Sequence, residues 1–233
     1  MNKDFVDQVL DAAARVVAGG AISANGHGNV SLRVPGAEEM YYTSASSLKG
    51  LRADGIVRVA LDGTLLEGTL PPIQAAVVAM HTAMYRDRAD VGCVVHTHSP
   101  HATAFAVANR PIACWIEALA MFGLADGVAV AAYAPRGSEQ AVANIRAAVR
   151  PGAPAVLLAN HGVLVFHRTP DLAVLIGGSS RKPRRQRSAH RPLAVRSRSR
   201  PTCGPLRSSG QWRLTRRGRR PPDWRKGTAS SPR

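Results

Sequence analysis

The chain has 233 residues, enough for one sizeable domain or two small ones. Its net charge of +16 suggests a nucleic-acid binder, yet residues 1–177 hold 13 of the 31 Lys and Arg and 14 of the 15 Asp and Glu, so the basic character belongs wholly to residues 178–233. No run reaches the roughly 18 apolar residues of a membrane helix, the N-terminus MNKDFVDQVL lacks an apolar core of signal-peptide length, and Cys93, Cys114 and Cys203 show no CxxC spacing. These features argue against a membrane protein and a disulfide framework and point to a cytoplasmic one.

In chain order, Phe5, Val9, Leu10, Ala13, Val16 and Val17 repeat at helical spacing, and Gly19-Gly20 stops that helix. A turn over Asn25-Gly26-His27-Gly28-Asn29 runs into an alternating strand through Val30, Leu32 and Val34. Its glycine-freed N–H groups and the Asn29 amide suit an anion or a carbonyl, although a plain turn reads the same way. Tyr41 and Tyr42 lead a strand into the hydroxyl-rich loop Thr43-Ser44-Ala45-Ser46-Ser47. Ile56 to Ala60 and Thr64 to Leu66 flank Asp62-Gly63, a hairpin signal. Pro71-Pro72 opens a helix that places Ile73, Val77, Met80, His81 and Met84 near one face.

Further on, Ala102 to Val107 reads as helix, Trp115 to Met121 as helix or strand, and Val128 to Ala132 as strand. Ser138 caps a helix running to about Val149. Ala155 to Ala159 and Val163 to Phe166 are strands separated by Asn160-His161-Gly162, and Pro170 opens a last helix, Asp171 to Ile176. Helices alternating with buried and half-buried strands, hairpins among them, predict an α/β sandwich with a mixed sheet. Gly26 and Gly28 precede a strand rather than a helix, so they are not a dinucleotide fingerprint.

The chemistry gathers at Val91 to Pro100, VGCVVHTHSP. A short apolar run ending in a Ser-Pro break reads as a buried strand, and residues two apart on a strand share a face. His96 and His98 therefore present their imidazoles side by side at a strand end, a spacing that suits one divalent metal. Two unrelated polar residues at a loop edge are the alternative. His161, beside a glycine that permits close approach, is positioned to complete a three-histidine site with an open position, the arrangement of a catalytic metal. Three imidazoles favour Zn, with Mn, Fe or Co as alternatives, over Mg.

The blocks GNVSLR (28–33), YYTSASSLKGL (41–51), MHTAMYRDRADVGCVVHTHSPHATA (80–104), APRGSEQAV (134–142) and LLANHGVLVF (157–166) together resemble the class II aldolase/adducin family, which includes fuculose-1-phosphate aldolase and ribulose-5-phosphate 4-epimerase. The resemblance covers about residues 5 to 177. It implies a three-layer α/β/α sandwich with a central mixed, mainly antiparallel sheet over residues 1–177, usually in a homotetramer with sites at subunit interfaces. It assigns His96, His98 and His161 as ligands of one divalent metal. Gly28, Asn29, Thr43 and Ser44 are assigned as substrate or phosphate contacts. The implied activity is that of a metal-dependent lyase on a small hydroxycarbonyl or hydroxy acid, by aldol cleavage or decarboxylation through a metal-stabilised enediolate.

Two stretches depart from the family pattern. The position of the family's catalytic Glu falls on Ala76 or Val77, neither of which titrates, and no acid occurs between Glu67 and Asp87. His27 and Glu117 are the candidate substitutes, and His81 and His101 read as structural. Residues 178–233 have no apolar periodicity and are dense in Arg, Pro and Ser. They read as an out-of-frame translation or as a disordered basic arm that binds nucleic acid. The rival functions are therefore a non-catalytic, adducin-like or degenerate family member and a basic-arm nucleic-acid binder.

Overall fold

The computed structural model describes residues 1–171, 173 and 174, which lie in one compact unit. The expected boundary at 177 and both readings of residues 178–233 lie outside the described residues. The elements are α1 (Lys3–Ala18), β1 (Gly28–Arg33), β2 (Glu39–Thr43), β3 (Ile56–Ala60), β4 (Leu65–Glu67), α2 (Pro72–Asp87), β5 (Cys93–Thr97), α3 (Pro100–Val107), α4 (Glu117–Met121), β6 (Val130–Ala131), α5 (Glu139–Ala148), β7 (Ala155–Leu158) and β8 (Gly162–His167).

Local chemistry starts these helices where the sequence marks them. The Asn2 side chain accepts from the Asp4 N–H at the start of α1, and Ser138 does the same for Ala141 in α5. Proline occupies the first turn of α2 and of α3, where its missing N–H costs no helical bond. Pro170, Asp171 and residues 173–174 are helical, as the sequence predicts; the rest of that helix is outside the described residues.

The eight strands form one sheet in the order β4-β3-β2-β1-β5-β8-β7-β6, with every neighbouring pair antiparallel except β6–β7. Side chains alternate between its faces. Val30, Leu32, Tyr41, Cys93, Val95, Val163 and Val165 pack with α1, α3 and α4. Met40, Tyr42, Val94, Leu164 and Phe166 pack with α2 and α5. The result is the expected three-layer α/β/α sandwich.

Beneath α2 lies a buried polar chain with a defined direction. The Tyr85 hydroxyl donates to the Ser31 carbonyl (2.9 Å), so it accepts from Ser31 Oγ (2.7 Å). The single Ser31 proton being used, Ser31 Oγ accepts from His81 Nδ1–H at 2.8 Å. Burial pushes His81 down to about 3, so it stays neutral and its role here is to tie α2 to β1.

Two expectations are corrected. Ile73 does not join the buried face of α2 but is 59% exposed, while Val78, Thr82, Ala83 and Tyr85 are buried with Val77, Met80, His81 and Met84. The strand predicted over Val128 to Ala132 shrinks to two residues because Val128 instead exchanges both backbone hydrogen bonds with Ile112. Phe166 is fully buried between β5, β7 and α2. Phe166→Ala is expected to lower unfolding stability by about 3–5 kcal/mol, read as a lower urea midpoint at unchanged slope.

Candidate metal centre

β5 carries Val94 and Val95 through the core and delivers His96 and Thr97 to the end of the sheet, with His98 one residue beyond. Its antiparallel partner β8 begins at the same end, pairing Thr97 with Val163 and His96 with Leu164. The turn from β7 to β8 puts Asn160 in the left-handed region (φ 58°), which Asn tolerates, and presents His161 over the two β5 histidines. A Cβ on Gly162 would lie 2.5 Å from the Thr97 carbonyl oxygen, and one on Gly28 would lie 2.7 Å from that of His96. Both glycines are needed for this close approach of backbones.

The three rings meet with centroids 4.6 to 5.0 Å apart, and their candidate ligand atoms all lie within 4.8 Å of one another. His96 Nδ1–H donates to the Val163 carbonyl at 3.0 Å, which leaves Nε2 as a lone pair facing His98 Nε2 at 3.1 Å. Burial is the main cause that depresses all three basicities. His161 falls to about 4, helped by His98 and Arg136; His96 falls well below its ordinary value, helped by its two neighbours; His98 falls too, helped by His27 and Arg136. All three are thus neutral near pH 7, the ligating form. Nitrogens about 2.0–2.1 Å from a tetrahedral zinc stand about 3.3 Å apart, so this donor set can hold one divalent metal.

The surrounding cavity, about 190 Å³, is lined by the three histidines with His27, Gly28, Asn29, Ser46, Ile73, Gln74, Val77 and Arg136. Asn29 is on β1 rather than in the preceding turn; its Nδ2 donates to Gln74 Oε1 at 3.0 Å, and its buried Oδ1 has no partner. Tyr42, held protonated by its burial, donates to the same Gln74 oxygen at 3.3 Å. Of the expected contacts, Gly28 and Asn29 thus line the cavity. Thr43 and Ser44 do not: Thr43 Oγ1 accepts from Val30 N–H at 3.1 Å, and buried Ser44 donates its backbone N–H to Gly55.

The two candidate Glu positions, Ala76 and Val77, face different surroundings. Val77 lines the histidine cavity, whereas Ala76 faces Gly137 and is not among its walls. No Asp or Glu lines it among the described residues, and Glu117 on α4 is not part of it. His27 does reach the site, its ring centroid 6.1 Å from that of His98. Arg136, Gln74 and Ser46 were not marked by residue spacing, because they come from three separate loops or helix ends that only the folded sheet brings together. Gly162→Ala is expected to weaken metal binding by roughly 10–100-fold, measured by competition with a chromogenic chelator, because the added methyl must displace the Thr97 carbonyl that neighbours both β5 histidines.

The family model described as Class II Aldolase and Adducin N-terminal domain matches residues 8–176. The 5-methylthioribulose-1-phosphate/5-deoxyribulose-1-phosphate aldolase of Rhodospirillum rubrum is 32% identical over 166 residues, 71% of this chain and 72% of its own. An L-fuculose phosphate aldolase of Escherichia coli O6:H1 is 30% identical over 147 residues, 63% of this chain and 66% of its own. Among solved structures, an L-fuculose 1-phosphate aldolase matches with a TM-score of 0.66 at 27% identity, over 76% of this chain and 81% of that one. The ordered sequence blocks, the three-layer sandwich and the histidine cluster at its sheet end therefore have one source: the chain belongs to the class II aldolase/adducin family.

Proposed function

We propose that the protein is a divalent-metal-dependent lyase that cleaves a carbon–carbon bond in a small hydroxycarbonyl compound, a sugar phosphate or a hydroxy acid. The observation that carries this reading is the convergence of three neutral imidazoles, His96, His98 and His161, on one point in a cavity. In this reading they are the ligands, zinc is the leading metal, and manganese, iron or cobalt are alternatives. When bound, the metal supplies Lewis-acid stabilisation of negative charge developing on substrate oxygens. The relatives named as aldolases of sugar phosphates support the reaction class.

The chain's own residues do the rest. The His96 Nδ1–H bond to Val163 fixes that ring's tautomer and aim. Asn29 Oδ1, buried and unpartnered, accepts from a substrate hydroxyl while Gln74 holds its Nδ2. Gly28 leaves room beside the His96 carbonyl. Aldol cleavage needs a base to take the hydroxyl proton, which a carboxylate does well; loss of CO2 does not. With Val77 where the family's Glu is expected, decarboxylation fits the cavity wall better than aldol cleavage. Homotetrameric assembly also belongs to the proposal; exposed Trp115, Ile116, Met121 and Tyr133 supply apolar surface for it.

Elemental mass spectrometry of the purified chain is expected to find about one transition metal per chain, lost in His96→Ala. A folded chain without metal would overturn the proposal in favour of a non-catalytic family member. Val77→Glu, assayed on sugar 1-phosphates, is expected to create or raise retro-aldol activity at least tenfold, with Ala76→Glu inactive as its control.

A further inference from the structure

Val77, Arg136 and His161 line the histidine cavity and also a second, larger one of about 310 Å³ between α2, β6, β7 and α5. The second cavity is walled largely by small apolar side chains, among them Ala76, Ala79, Ala131 and Ala141. Its Ser138 hydroxyl proton is already donated to the Pro135 carbonyl, and the oxygen accepts from Ala141 N–H. Arg136 is the only Lys or Arg lining either cavity, and no Asp or Glu lines either one, among the described residues. It makes no ion pair with any described residue.

An exposed guanidinium on the wall of both cavities, left without a carboxylate, has its five donors free for one planar or tetrahedral oxyanion. We propose that Arg136 anchors the anionic group of the substrate, a phosphate or a carboxylate, while the substrate's hydroxycarbonyl end faces His96, His98 and His161. This rests on the lyase reading for the other end of the substrate, and it names the substrate class as a small anion. The anchored group is the one that survives the cleavage, because holding the departing carboxylate in an ion pair would stabilise the ground state.

The test is titration calorimetry of the metal-loaded full chain with two probes, inorganic phosphate and 3-hydroxybutyrate. At least one is expected to bind, with a Kd that rises about tenfold or more in Arg136→Ala and recovers in part in Arg136→Lys. Which probe responds identifies the anion. If neither probe binds the wild-type chain, or if Arg136→Ala leaves both Kd values within twofold, the anchor is wrong. Metal content and melting temperature are measured in the same samples. Metal retained with no effect of Arg136→Ala overturns the anchor alone. Anion binding that depends on Arg136 in a chain holding no metal overturns the lyase reading alone.

Discussion

The site depends on one backbone contact, the approach of the end of β5 to the start of β8 where Gly162 lies against the Thr97 carbonyl. Antiparallel pairing alone puts His96 and Leu164 opposite each other and would leave a β8 side chain between the strands' ends. Glycine at 162 removes that side chain, so the turn before it can fold His161 over the two β5 rings. The same pairing supplies the Val163 carbonyl that takes the His96 Nδ1 proton. One strand pair thus sets the position of three rings and the tautomer of one. Both faces of these strands are buried, so a slip by one residue would move Val94 and Leu164 into the layer that Val95 and Val163 fit and would break the match of His96 with His161, which makes the register costly to change.

A second constraint is the polar layer under α2. Burying Ser31, His81, Tyr85, Asn29 and Gln74 between a helix and a sheet is costly unless their groups pair. Most of them pair in two chains, His81 to Ser31 to Tyr85 and Asn29 with Tyr42 on Gln74, which leaves Asn29 Oδ1 and His81 Nε2 without a partner. Each chain crosses from the sheet to α2, so each fixes the helix in azimuth and along its axis, which nondirectional apolar contacts do less well. That placement matters for function because Gln74 and Val77 on this helix are walls of the histidine cavity.

Much of this was legible in the chain itself. The alternation of period two made His96 and His98 neighbours on one face, and the glycine after His161 marked a close approach. Asp62-Gly63 marked the β3–β4 hairpin, and Pro71-Pro72 marked the start of α2. What sequence could not convey was how polar capacity is shared in three dimensions. Thr43 and Ser44 look like ligand-binding hydroxyls in a loop, but Thr43 is the last residue of β2 and its oxygen is consumed by the Val30 N–H of the adjacent strand. Ile73 has the right helical phase for the core yet lies on the first turn of α2, where it lines the histidine cavity and stays exposed. Arg136 and His27 lie in loops with no period to read, and only the order of strands brings them to one cavity.

The charge balance of the cavity bears on what can enter it. Three neutral imidazoles, an amide pair and Val77 contribute no formal charge, and Arg136 contributes one positive charge. A divalent ion on the histidines would bring the total to three positive charges. A carboxylate at position 77 would offset one of them, but valine offsets none. Arg136 is exposed, so solvent screens part of its repulsion from such an ion, and an anion sharing the site would offset more of it. In the proposed reading, Val77 at the acid's position therefore does more than lack a proton carrier: it leaves the positive charge of the site to be offset by a substrate that carries its own negative charge.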